Sequence, residues 1–150
     1  MNLKKILIAA DASENAKRAA AYVGEIIGPR KDFEIEILYV LRYPDRDLFP
    51  DADAWENKKD EERKKAQEVL SGLSTVLEEK GIPVSAISTV SKEAKGFSIA
   101  QAILEYQQQN GFGTIVVGRR GVSKAEEFLF GSVSNKIVHY ARDCAVWVIE

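Results

Sequence analysis

The most constraining feature of this chain is an alternation. Five short apolar runs rich in β-branched residues, at 6–10, 35–41, 84–90, 114–117 and 145–149, are separated by stretches with helical periodicity. Strands that alternate with helices in this way pair in parallel, because a parallel pair needs a crossover and the crossover helix covers a sheet face. Right-handed crossovers put helices on both faces once the strand order reverses. The expected fold is therefore a Rossmann-like α/β sandwich, although periodicity alone leaves the strand order open. Its 150 residues, 45% of them hydrophobic, can bury one substantial core and fall short of two ordinary domains, so 1–150 reads as one domain. In such sheets ligands bind beyond the carboxyl ends of the strands, near the reversal of strand order. Function is thus to be sought in the loops that begin at Asp11, Leu41, Val90 and Gly118.

The spacing predicts four helices. Ser13 caps the first, whose inward stripe is Ala16, Ala19, Ala20, Val23, Ile26 and Ile27, ending at Gly28-Pro29. A polar, aromatic stretch at 42–57 precedes the second, with Ala66, Val69, Leu70, Leu73 and Leu77 on one face and Gly81-Ile82-Pro83 as its stop. The charges at 58–65 read as a solvated helix face, and Tyr43, Phe49 and Trp55 as a local packing cluster. The third helix turns Ile99, Ala102, Ile103 and Tyr106 inward and ends at Asn110-Gly111. The fourth starts at Gly131-Ser132, with Val133, Ile137, Tyr140 and Ala141 inward.

Charge and composition exclude several classes. With 21 Lys and Arg against 23 Asp and Glu, the formal net charge of -2 gives no pull toward nucleic acid or anionic lipid. No apolar run approaches the roughly 18 residues of a membrane span, and the N-terminus lacks the apolar region of a signal peptide. Cys144 is the only cysteine, which excludes an intramolecular disulfide and points to the cytoplasm as a reducing compartment. His139 is the only histidine and sits inside a helical pattern, so a histidine-based metal cluster is excluded.

The densest chemistry lies late in the chain. Val116-Val117-Gly118-Arg119-Arg120-Gly121 is followed by nine residues, 122–130, and then by Gly131-Ser132-Val133-Ser134 at a helix start. Gly118 and Gly121 let the backbone turn and approach an anion with no Cβ in the way. The helix start exposes unpaired N–H groups and the positive end of the helix dipole, both favourable to phosphate. The hydroxyls of Ser132 and Ser134 add donors, and Arg119, Arg120 and Lys124 add positive charge or are plain loop residues. No G-x-x-x-x-G-K-[ST] loop is present, and Gly111-Phe112-Gly113 precedes a strand, the wrong context for a dinucleotide fingerprint.

This spacing resembles the G-x2-G-x9-G-[S/T] ATP-binding motif of the universal stress protein family at Gly118, Gly121, Gly131 and Ser132. The resemblance extends through the opening Ile6-Leu7-Ile8-Ala9-Ala10-Asp11-Ala12-Ser13 and the closing Gly131-Ser132-Val133-Ser134-Asn135-Lys136-Ile137-Val138. It implies a five-stranded parallel sheet in the order 3-2-1-4-5 and an ATP site at the carboxyl ends of strands 1 and 4. Within that site it implies Asp11, with Ala9 and Ala10 before it, beside the nucleoside, and the Val40 backbone at the adenine edge. Val117, Gly118, Arg120, Gly121, Gly131, Ser132, Val133 and Ser134 are implied at ribose and phosphates. From the residues alone, Asp11 reads equally as a helix-entry residue or a catalytic or metal-binding carboxylate. Departures from the family pattern are Ala12, where glycine is common, and Ala145, where proline is common. The resemblance further implies an ATP-binding stress-response module, with magnesium as a companion of the nucleotide, and a homodimer through the last strand. A slow ATPase or phosphotransferase on the same pocket, and an interaction protein that does not bind ATP, are the alternatives.

Overall fold

The computed structural model describes residues 1–30, 32–119 and 131–150. Arg120, Gly121 and the sequence features at 122–130 lie outside the described residues. The chain runs β1 (Asn2–Ala10), α1 (Glu14–Ile27), β2 (Glu34–Leu41), α2 (Ala52–Glu79), β3 (Ile87–Glu93), α3 (Ile99–Asn110), β4 (Phe112–Gly118), α4 (Ser132–Tyr140) and β5 (Ala145–Ile149). All strand pairs are parallel and the order is β3-β2-β1-β4-β5. This is the expected single sheet with helices on both faces.

Alternation of side chains along each strand divides the core in two. Ile6, Ile8, Ile35, Ile37 and Val116 face α1 and α2, where Ala16, Ala19, Val23, Leu70, Leu73 and Leu77 close over them. Leu7, Leu38, Ile115 and Val117 face α3 and α4, against Ala100, Ile103 and Ile137. Each fully buried Leu or Ile contributes about 1.5–3 kcal/mol. The small residues of α1 let it lie close to the sheet. Gly24 does the same against α2, where a Cβ would stand 2.6 Å from Lys80 Cβ. The third helix ends as expected, with Gly111 in the left-handed region at φ 67 and its N–H donated to Gln107 O and Gln108 O.

Four expectations need correction. Ile26 and Tyr140 were expected inward and are 51% and 66% exposed. Each lies in the last turn, three residues past a buried one and so roughly 60° round the helix from it. The third strand begins at Ile87 rather than 84, because Pro83 opens a 3-10 turn over Val84–Ala86. The stretch at 42–57 is not uniform: α2 starts within it at Ala52, capped by the Asp51 side chain, which accepts from Ala54 N. At 28 residues, α2 is about 42 Å long, whereas the seven-residue β3 spans about 23 Å. Its buried residues are Ala66, Leu70, Leu73 and Leu77, so the half before Ala66 projects past the carboxyl edge of the sheet. That overhang carries the local cluster, with Lys59 Nζ over the Trp55 ring at 4.1 Å and Trp55 Nε1 donating to Pro44 O.

The two outer strands differ. β3 exposes Ser88, Thr89, Lys92 and Glu93, whereas β5 presents half-buried Val146, Trp147, Val148 and Ile149. Trp147 meets Tyr22 of α1 edge to face at 6.2 Å.

Candidate functional site

Strand order reverses between β1 and β4. Crossovers depart in opposite directions there and leave a crevice at the carboxyl ends. A cavity of about 310 Å³ occupies it, at the lower end of the roughly 300–1,000 Å³ usual for ligand sites. β1 and the turn after it supply Ala9, Ala10, Asp11 and Ala12; β2 supplies Tyr39 and Val40; β4 supplies Val117 and Gly118. The start of α4 supplies Gly131, Ser132, Val133 and Ser134. Apart from Arg120 and Gly121, which lie outside the described residues, every site residue expected from the sequence therefore lines one cavity.

Two of the helix starts that border this cavity, those of α1 and α4, are built differently. At α1, Ser13 Oγ accepts from Ala16 N at 3.2 Å, and Asp11 Oδ1 accepts from Ser13 N at 2.8 Å and from the Ser13 hydroxyl. Asp11 is thus a helix-entry residue that also borders the cavity. At α4 the cap position is Gly131, with φ -59, ψ 159 and no side chain to accept a bond. A helix start leaves its first N–H groups without intrahelical partners, and here the first helical bond runs from Asn135 N to Gly131 O.

Gly118 does not turn the chain in the left-handed region; it ends β4 opposite Ile149. What it and Gly131 contribute is the absence of a Cβ. The Ser134 hydroxyl, expected to face a phosphate, is buried and bonds backbone instead, at 2.7 Å to Arg119 O and 3.1 Å to Gly131 O. Gly131 N also donates to Arg119 O at 2.7 Å, so Ser134 and Gly131 together tie the end of β4 to the start of α4. Arg119 likewise departs from its expected part. Its N–H donates to Ile149 O, and its guanidinium donates to Glu150 at 2.6 Å, which pairs its charge at the β5 end.

Ala16, Tyr39, Lys65, Ile99 and Ile103 also line the cavity and were not found from the sequence. Ile99 and Ile103 come from α3 and give the wall an apolar surface suited to a ring. Burial, and after it the Glu62 and Asp11 carboxylates, push the Tyr39 hydroxyl above its ordinary value, so it stays a neutral phenol. Among the described residues no group of three or more His, Cys, Asp or Glu side chains is placed to hold a metal ion. None of the described helices is long and apolar enough to cross a membrane. His139 is exposed, with Nδ1 3.0 Å from Asn135 O.

Known proteins share this architecture. A Methanocaldococcus jannaschii protein named universal stress protein MJ0531 is 27% identical over 149 residues, covering 98% of this chain and 82% of that one. The solved universal stress protein UspA from Lactobacillus plantarum superposes with a TM-score of 0.80 at 21% identity, over 100% of this chain and 99% of its own. The universal stress protein from Archaeoglobus fulgidus, solved in complex with dAMP, gives a TM-score of 0.71 at 19% identity over 100% of both chains. The sequence model of the Universal stress protein family matches residues 2–150. With its sheet ordered β3-β2-β1-β4-β5 and nearly its full length matched, this chain belongs to the universal stress protein family.

Proposed function

We propose that this chain is an ATP-binding regulatory module of the stress-response type, holding the nucleotide at the carboxyl ends of β1 and β4. The observation that carries the reading is the uncapped start of α4, opening on a cavity that also contains Asp11. Bare N–H groups and the helix dipole favour phosphate at that wall. Asp11 and the Val40 backbone serve the nucleoside. The dAMP-bound Archaeoglobus fulgidus protein supports an adenine nucleotide as the ligand class.

Retention rather than turnover is supported by what the described part of the cavity wall carries. Phosphoryl transfer requires a positioned nucleophile and charge stabilisation at the leaving oxygen, usually with a metal held by carboxylates. Asp11 is the sole carboxylate among the described lining residues, and its Oδ1 accepts both bonds from Ser13. On this reading magnesium enters on the nucleotide's own phosphates, and no step is assigned to it; Glu126 and Glu127, the carboxylates nearest the glycine motif in sequence, lie outside the described residues. The lone Cys144, its thiol pushed up by burial and then by Asp143, fits a reducing compartment such as the cytoplasm.

ATP at about a hundred times its dissociation constant adds roughly 2.7 kcal/mol, a melting shift of roughly 5–10 °C for a chain this long. Replacing Gly131 with Val puts a branched side chain where phosphate would approach and should remove most of that shift. A folded G131V protein with an unchanged shift sinks the site. Turnover above about one per second, lost in the same variant, replaces the module with an enzyme. The module is further proposed to dimerise through β5, whose apolar edge invites another chain. Light scattering should give twice the monomer mass at micromolar concentration, reduced toward the monomer in V148K.

A further inference from the structure

Lys65 is the sole lysine or arginine among the described residues that line the cavity, where it stands against a single carboxylate, Asp11. Helix spacing offers it Glu68 one turn on, with which it makes no ion pair, and two partners one turn back, Glu61 and Glu62. Both are taken by Lys58, at 3.2 Å and 3.4 Å. The neighbouring cations Lys59 and Arg63 are likewise paired, with Glu56 and Asp60. Lys65 makes no ion pair or hydrogen bond among the described residues, so its ammonium is left to the cavity. The overhang of α2 brings it there: burial begins one residue later, at Ala66, which puts Lys65 level with the carboxyl ends of the strands. α2 packs on α1 and the β2–β3 side of the sheet, whereas α4 packs on α3 and β5. The ammonium and the α4 start thus close the crevice from opposite faces.

We propose that Lys65 is the residue that sets the charge preference of this pocket, selecting a nucleoside polyphosphate over an uncharged nucleoside. This rests on the nucleotide reading above. The described lining side chains carry one positive and one negative charge. Removing Lys65 leaves Asp11 unopposed among the described lining side chains, and the penalty for a ligand then rises with each phosphate it brings. A four-carbon stem from an exposed helix lets the ammonium follow the phosphate chain, and loss of that contact leaves the fold intact.

The test is a set of dissociation constants for adenosine, AMP, ADP and ATP with the wild type, K65Q, K65R and K64Q, each checked for an unchanged melting temperature without ligand. Lys64 is the adjacent exposed lysine, outside the cavity lining. K65Q should weaken ATP roughly tenfold, ADP and AMP by progressively less, and adenosine by less than about twofold. K65R should keep most of the ATP affinity and K64Q should match the wild type. An equal loss for all four ligands, no loss at all, or the same graded loss in K64Q overturns the assignment. A wild type that binds none of the four instead overturns the nucleotide reading itself.

Discussion

The starts of α1 and α4 occupy equivalent places, each following a central strand and each bordering the same cavity, yet their hydrogen bonding is opposite. The α1 start is closed by its own side chains, with Ser13 capping the helix and Asp11 bracing Ser13. At α4 the cap residue has no side chain, and the Ser134 hydroxyl is turned back onto Arg119 and Gly131. A closed start contributes stability and is indifferent to a ligand. An open one forgoes that stability and leaves its donors for something that arrives from solution.

Converting one start into the other should separate the two roles. The largest effect belongs to Gly131→Asp. The φ and ψ of Gly131 already suit a capping residue, so a carboxylate there should take the helix N–H groups and repel phosphate. The ATP-induced melting shift of roughly 5–10 °C should vanish, while the ligand-free protein melts at the same temperature or slightly higher, since an Asp cap exceeds Gly by only about a few tenths of a kcal/mol. Retention of the shift, read by calorimetry, would mean that the α4 start is not where the phosphates go. The smaller effect is Ser13→Ala, which removes a cap worth about 1 kcal/mol and should lower the melting temperature by roughly 2–4 °C. The ATP shift should stay nearly whole. If S13A abolished it, the two helix starts would not be functionally distinct.

Much of this was legible in the chain because it is local. Strand faces follow from alternation, which is why Ile6 and Ile8 share one core and Leu7 another. The α4 start and Asp11 were legible because glycine, serine and aspartate at a strand end carry their backbone consequences with them. Lys65 was hidden for a different reason. Reading 58–65 as a solvated face holds for Asp60, Glu61, Arg63 and Lys64 but not for half-buried Lys58, Lys59 and Glu62, and only the length of α2 beyond the sheet brings Lys65 to the cavity. Placing the start of that helix after 57 rather than at Ala52 concealed the overhang. Ser134 was misassigned because its acceptor, Arg119 O, lies fifteen residues earlier in the chain, and a hydroxyl's choice between backbone and ligand depends on how the chain returns. Ile99 and Ile103 came from a third crossover and carry no signal beyond ordinary core periodicity.

The contrast between the outer strands has a consequence for assembly size. A sheet with two sticky edges can add copies at both and grow without limit, as fibres do. Here Lys92 and Glu93 put charge on β3, the outer strand away from β5. In the proposed dimer association falls to β5, and two copies that meet through the same strand would use up the edge on each. Such a series would stop at two by geometry, with no further device needed to terminate it.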